Sequence, residues 1–74
     1  MDRDWSADVK GMLRAEMTRR HVTYQALAEK LGEIGVKETE ANLRNKISRG
    51  SFTAVFFVQA LVAIGCSSLR LDES

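Results

Sequence analysis

Two apolar stripes of helical period, separated by a glycine-containing corner, lie between Thr23 and Gly50, and they constrain the fold more than any other feature of the chain. Leu27, Ala28 and Leu31 form the first stripe, and Leu43 and Ile47 form the second, each set spaced to share one helical face. The 74 residues contain no proline. Proline usually punctuates loops, so its absence favours continuous helices over a turn-rich β architecture.

Start and stop signals divide the chain into four predicted helices. The first spans 5–20. Trp5, Val9, Leu13 and Met17 recur every four residues, with Met12 beside them. Asp4 or Ser6 can accept the first-turn amides, and Arg19 and Arg20 suit the negative end of the helix dipole. The second helix starts at Thr23, where Val22 and Leu27 take the two positions of a hydrophobic staple, and it stops at Gly32. Residues 32–37 form a connection, with Ile34 and Val36 expected to plug the core. The third helix covers 38–48, with Thr39 as candidate cap and Glu38 and Glu40 favouring a helix start. The fourth covers 53–64, capped by Thr53 and stopped by Gly65. Leu69 and Leu71 in the tail are expected to fold back on the core. The pattern predicts one all-α domain over 1–74, compact and of four to five helices. Chains of this size bury only about 60% of the surface exposed when unfolded.

Composition excludes several classes of function. Hydrophobic residues make up 45% and charged residues 28%, the balance of an ordinary globular protein. One cysteine, Cys66, leaves no intrachain disulfide. One His and one Cys cannot supply the roughly four ligands of a structural zinc site. No metal or cofactor is expected, and no Gly-rich phosphate loop or nucleophile–base–acid set points to an enzyme. The run Met1 to Trp5 is too charged for a signal peptide. The apolar stretch 54–65 is far shorter than the roughly 20 residues of a membrane span, so the expected location is the cytoplasm.

The formal net charge is only +1, so the overall balance makes no case for nucleic acid. Its distribution is uneven: residues 37–50 carry four basic and two acidic side chains.

A helix-turn-helix needs a supporting helix with a small residue at the crossing, a glycine at the corner and a second helix free to enter a major groove. Ala28 and Gly32 stand four apart in the run Leu27-Ala28-Glu29-Lys30-Leu31-Gly32. This run resembles the Leu-Ala-x-x-Leu-Gly of lambda-repressor-like (Cro-type) domains. Ile47-Ser48-Arg49-Gly50 is similar to the Ile-x-Arg-Gly that closes their recognition helix, and Leu61 to Gly65 is similar to a later Leu-x-x-Leu-Gly. The start Thr23-Tyr24-Gln25-Ala26-Leu27-Ala28 and the centre Arg49-Gly50-Ser51-Phe52 also resemble a small bacterial domain family of unknown function. The chain departs from the Cro pattern in two ways. Its corner, lengthened by 33–37, exceeds the usual turn of about 3–4 residues. Arg44 stands where the pattern has an apolar residue, and Leu43 takes that place.

The Cro-type resemblance implies a small transcriptional regulator that binds DNA. With Leu43 and Ile47 inward, the helical period turns Glu38, Ala41, Asn42, Asn45, Ser48 and Arg49 outward. Asn pairs bidentately with adenine and Arg with guanine, which makes Asn42, Asn45 and Arg49 the base-reading candidates. Lys37, Arg44 and Lys46 are candidates for phosphate contacts, which position a protein without specifying sequence. The alternative is a degenerate helix-turn-helix used for protein contact with no DNA binding; Glu38 and Glu40 at the helix tip favour that alternative.

The fourth helix is apolar on two sides. Phe56, Phe57, Ala60, Leu61 and Ile64 cluster on one, and Val55, Val58 and Val62 on the other. A helix apolar all round is normally buried, so this helix is either the centre of the core or a homodimer interface through its valines. His21 is read as a loop histidine, Cys66 as an inert thiol and Trp5 as a core or edge anchor.

Overall fold

The computed structural model describes residues 3–71; Met1 and Asp2 of the charged N-terminal run lie outside them. Among the described residues there are four helices and no strand: α1 (Trp5–Arg19), α2 (Tyr24–Glu33), α3 (Glu40–Arg49) and α4 (Ala54–Ala63). Among the described residues the tail after α4 adds no fifth helix.

Each helix begins on a short polar side chain that accepts an amide three residues on. Asp4 accepts from Ala7, Thr23 from Ala26 and Thr39 from Asn42, each at 3.1 Å, and Thr53 accepts from Phe56 at 3.0 Å. These bonds satisfy first-turn donors that have no partner within the helix.

Three of the helices end in the same way. After α1, α2 and α4 one residue adopts a left-handed conformation: His21 (φ 57°), Gly35 (φ 84°) and Gly65 (φ 84°). The next residue then donates its amide back to the helix: Val22 to Met17 O at 2.8 Å, Val36 to Leu31 O at 2.9 Å and Cys66 to Leu61 O at 2.9 Å. This is the Schellman arrangement, which is often accompanied by an apolar contact from that next residue. Val22, Val36 and Cys66 all lie in or against the core.

The core draws on every helix. Leu13, Leu27, Leu31, Leu43 and Ile47 are fully buried, and α4 adds Phe56, Ala60 and Leu61. Each fully buried aliphatic side chain contributes about 1.5–3 kcal/mol relative to exposure. α2 packs on α3 and α4, and α1 packs on the same two helices, so α3 and α4 each lie between α1 and α2. Phe52, in the link to α4, packs its ring against Phe56 and Phe57 at centroid distances of 5.4 and 5.9 Å.

Several sequence expectations need correction. α2 runs through Gly32 to Glu33 and stops at Gly35. α3 is 40–49 rather than 38–48, because Thr39 caps it and Gly50 closes it. Val36 packs against the core, whereas Ile34 is exposed. Trp5 is 64% exposed and no core anchor; the Arg3 guanidinium lies 4.5 Å from its ring. Leu69 packs on the core and Leu71 does not. The valines of α4 are not core: Val55, Val58 and Val62 are 67%, 57% and 59% exposed.

Candidate nucleic-acid interface

α3 is held from below by Leu43 and Ile47, which are fully buried. Its two ends are fixed independently. Thr39 caps the start, and Gly50 closes the end in a left-handed conformation (φ 67°). A β-carbon on Gly50 would stand 2.6 Å from the backbone oxygen of Ser6, so α1 presses directly on the end of α3. Lys10 of α1 also donates to Ser48 O at 3.0 Å, which satisfies one of the last carbonyls of α3.

This anchoring turns Ala41, Asn42, Asn45, Ser48 and Arg49 to solvent, as the helical period predicts, whereas Glu38, expected outward with them, precedes the helix and is largely covered. Asn42, Asn45 and Arg49 line one open groove with Lys37, Glu38 and Lys46, about 510 Å³ in volume. Among the described residues, none of Asn42, Asn45, Arg49 or Lys37 has its side chain engaged by another group.

Arg44 is elsewhere. It lines a second groove of about 570 Å³ on the opposite flank of α3, with Arg14, Thr23, Tyr24, Gln25 and Glu40. Its guanidinium bonds Glu40 at 2.8 Å and lies 5.5 Å from the Tyr24 ring. Arg14 reaches the same flank, donating to Tyr24 Oη and Ser48 Oγ, both at 3.4 Å. α3 therefore has a groove along each side.

Two of the three cations read as phosphate candidates already have acidic partners. Besides the Arg44–Glu40 pair, Lys46 Nζ lies 2.6 Å from Glu38 and 4.5 Å from the centroid of the Phe56 ring. Glu38 precedes α3 and folds back across it, eight residues from Lys46. The acidic tip thus acts on named cations rather than as a diffuse charge.

Lys10 and Arg14 are the cations that sequence reasoning missed. They bond to Ser48 from 38 and 34 residues away, and no local periodicity marks such a contact. With them, the basic residues at or beside α3 are Lys10, Arg14, Lys37, Arg44, Lys46 and Arg49, against Glu38 and Glu40.

Toward its C-terminal end α1 carries a second charged cluster. Glu16 is buried (7% exposed) and paired with Arg20 and, at 3.0 Å, with Arg19. The hydrogen bond from Arg20 holds the Glu16 carboxyl below the usual carboxylate range; burial opposes this, while the Arg19 and Arg20 charges and Cys66 reinforce it. The buried Cys66 thiol donates to Ser68 O at 3.1 Å. Glu16, Arg19 and Arg20 line a groove with Ser68 and Leu69 of the segment after α4, and none of them lines a groove of α3.

Among the described residues no cluster of His, Cys, Asp and Glu gathers to hold a metal ion, and no helix is long and apolar enough to cross a membrane.

A family model described as Domain of unknown function (DUF6471) matches residues 5–69, and the chain belongs to that family. The match covers all four helices and indicates no Cro-type family. No curated protein and no solved structure matches the chain.

Proposed function

For this member of a family with no assigned activity, we propose duplex DNA binding, with α2, residues 34–39 and α3 acting as a divergent helix-turn-helix and α3 entering the major groove. The observation that carries the reading is the outer face of α3, where Asn42, Asn45 and Arg49 stand exposed, unengaged and in line with Lys37. Their donors suit base edges: amides for adenine and the guanidinium for guanine.

The flanking grooves give the phosphates a place. In the major groove a recognition helix has a sugar-phosphate strand on either side, and contacts to those strands set register. Lys37 and Lys46 serve one flank, and Arg14 and Arg44 the other. Because Lys46 and Arg44 are shared with Glu38 and Glu40, the electrostatic contribution to affinity is modest. Neutralising about 2–4 phosphates gives a log–log salt slope of about −2 to −4.

A fluorescence-anisotropy titration with random duplex DNA at about 50 and 200 mM salt tests the reading. Binding at low salt that weakens with that slope supports it. No binding at low salt overturns it and leaves the rival reading, a protein-contact module with no nucleic-acid role. Asn45→Ala and Arg49→Ala should each weaken specific binding by about 1–3 kcal/mol, and Lys37→Ala should reduce the salt slope by about 1.

A further inference from the structure

The outer face of α3 has an order as well as a composition. Asn42, Asn45 and Arg49 stand third, sixth and last in the helix. Intervals of three and four residues keep side chains on one helical face, so the three form a single line. Lys46 lines the same groove but is held by Glu38, and Arg44 is held by Glu40 on the other flank. Ala41 and Ser48 border the line, exposed and short, which lets the backbone of α3 come close to whatever the line meets.

The ends of the three side chains select among base edges. In the major groove adenine shows an acceptor beside a donor, and guanine shows two acceptors; cytosine and thymine each offer one such polar group. A carboxamide carries a donor and an acceptor side by side, so Asn42 and Asn45 each close two hydrogen bonds with adenine. A guanidinium carries donors only, so Arg49 closes two with guanine. Side-chain length follows the same plan. A recognition helix brings its N-terminal residues nearest the bases. The two short readers lie toward that end of α3, and the long one lies at the far end.

Spacing sets the register. At 1.5 Å per residue the steps along α3 are about 4.5 and 6 Å. Base pairs advance about 3.4 Å along the duplex, and a helix entering the groove at an angle converts steps of this size into successive base pairs. We propose that α3 reads three successive base pairs, with Asn42 on adenine, Asn45 on the adjoining adenine and Arg49 on the guanine beyond it. The proposal rests on DNA binding by α3 and goes further, since it names the sequence bound.

Selection of bound duplexes from a fully randomised library by the full chain at about 50 mM salt, followed by sequencing, tests it. The expected product is a run of two adenines and a guanine, each favoured over the other bases by at least about fivefold. Arg49→Ala should erase the guanine preference and keep both adenines. Asn42→Ala should erase the adenine farthest from the guanine, and Asn45→Ala the one between. Salt-dependent binding of the library with no base enriched, or enrichment of a different triplet, overturns the register and leaves DNA binding standing. No binding to any duplex overturns both. Preferences that survive all three substitutions would place the readers elsewhere and overturn the proposal.

Discussion

α3 and α4 are built alike on the inside and differ on the outside. Both are ten residues long, both begin on a threonine whose hydroxyl accepts the amide three residues on, and both end at or beside a left-handed glycine. Both lie between α1 and α2. Their outer faces share nothing: α3 presents Asn42, Asn45 and Arg49, and α4 presents Val55, Val58 and Val62. Caps, terminators and inward stripes decide that a segment is a helix and where it sits. The outward residues decide what that helix meets, and they vary with no change to the scaffold.

The comparison is most easily broken at the two terminal glycines. A β-carbon on Gly50 would meet the Ser6 backbone at 2.6 Å, whereas one on Gly65 would meet nothing within 4 Å. Both glycines have positive φ, which costs an alanine about 1 kcal/mol. Gly50→Ala adds backbone displacement to that and should destabilise by about 2–4 kcal/mol; Gly65→Ala should cost about 1. Thermal and urea denaturation measure both, and equal losses would mean that α1 does not press on the end of α3.

The threonine caps sharpen the likeness. Thr39→Ala and Thr53→Ala should each cost about 1 kcal/mol, with values that agree within a few tenths. A large inequality would show that one helix depends on its cap and the other on its packing.

Substitution at Gly32 should have the opposite sign. Gly32 lies inside α2 with open space around it, so Gly32→Ala should stabilise by about 0.5–1 kcal/mol. A loss would mean that α2 ends there after all.

The smallest effects concern charge. Glu38→Gln and Glu40→Gln free Lys46 and Arg44 on α3, and each should tighten DNA binding by about 2- to 5-fold. The Glu16 carboxyl, held low in the folded chain by Arg20, contributes stability that is present above the unfolded-state value and is lost as pH falls through the folded one. Glu16→Gln should therefore flatten the acid limb of a stability–pH profile while leaving α3 and α4 unchanged.

What the sequence disclosed and what it concealed follow one physical division. Caps act over three residues, so Thr23, Thr39 and Thr53 are readable in place. The inward pair Leu43 and Ile47 is readable from the helical period. Gly32 does not end α2, and the deciding signal is local. A terminating glycine of this kind is followed by an apolar residue that packs back, and Val36 follows Gly35 whereas Glu33 follows Gly32. The same pattern of a left-handed residue and then an apolar one recurs at His21-Val22 and Gly65-Cys66.

Other features depend on distant partners and have no local mark. Arg44 and Lys46 are two residues apart, so the helical period itself sets them on opposite flanks of α3; what each meets there, Tyr24 or Phe56, depends on distant elements. Glu16 is a charged residue inside the apolar stripe of α1. It is tolerated there because Arg19, Arg20 and Cys66 surround it. The two faces of α4 were evident in the sequence; which one is covered within the chain depended on where α1 and α2 lie.

The most direct test of the central claim, that α3 rather than α4 meets nucleic acid, is amide chemical-shift mapping of the full chain titrated with duplex DNA. Shifts concentrated at Lys37, Asn42, Asn45 and Arg49, with Val55, Val58 and Val62 unmoved, are the predicted result. Shifts centred on α4, or none at any DNA concentration at low salt, would contradict it.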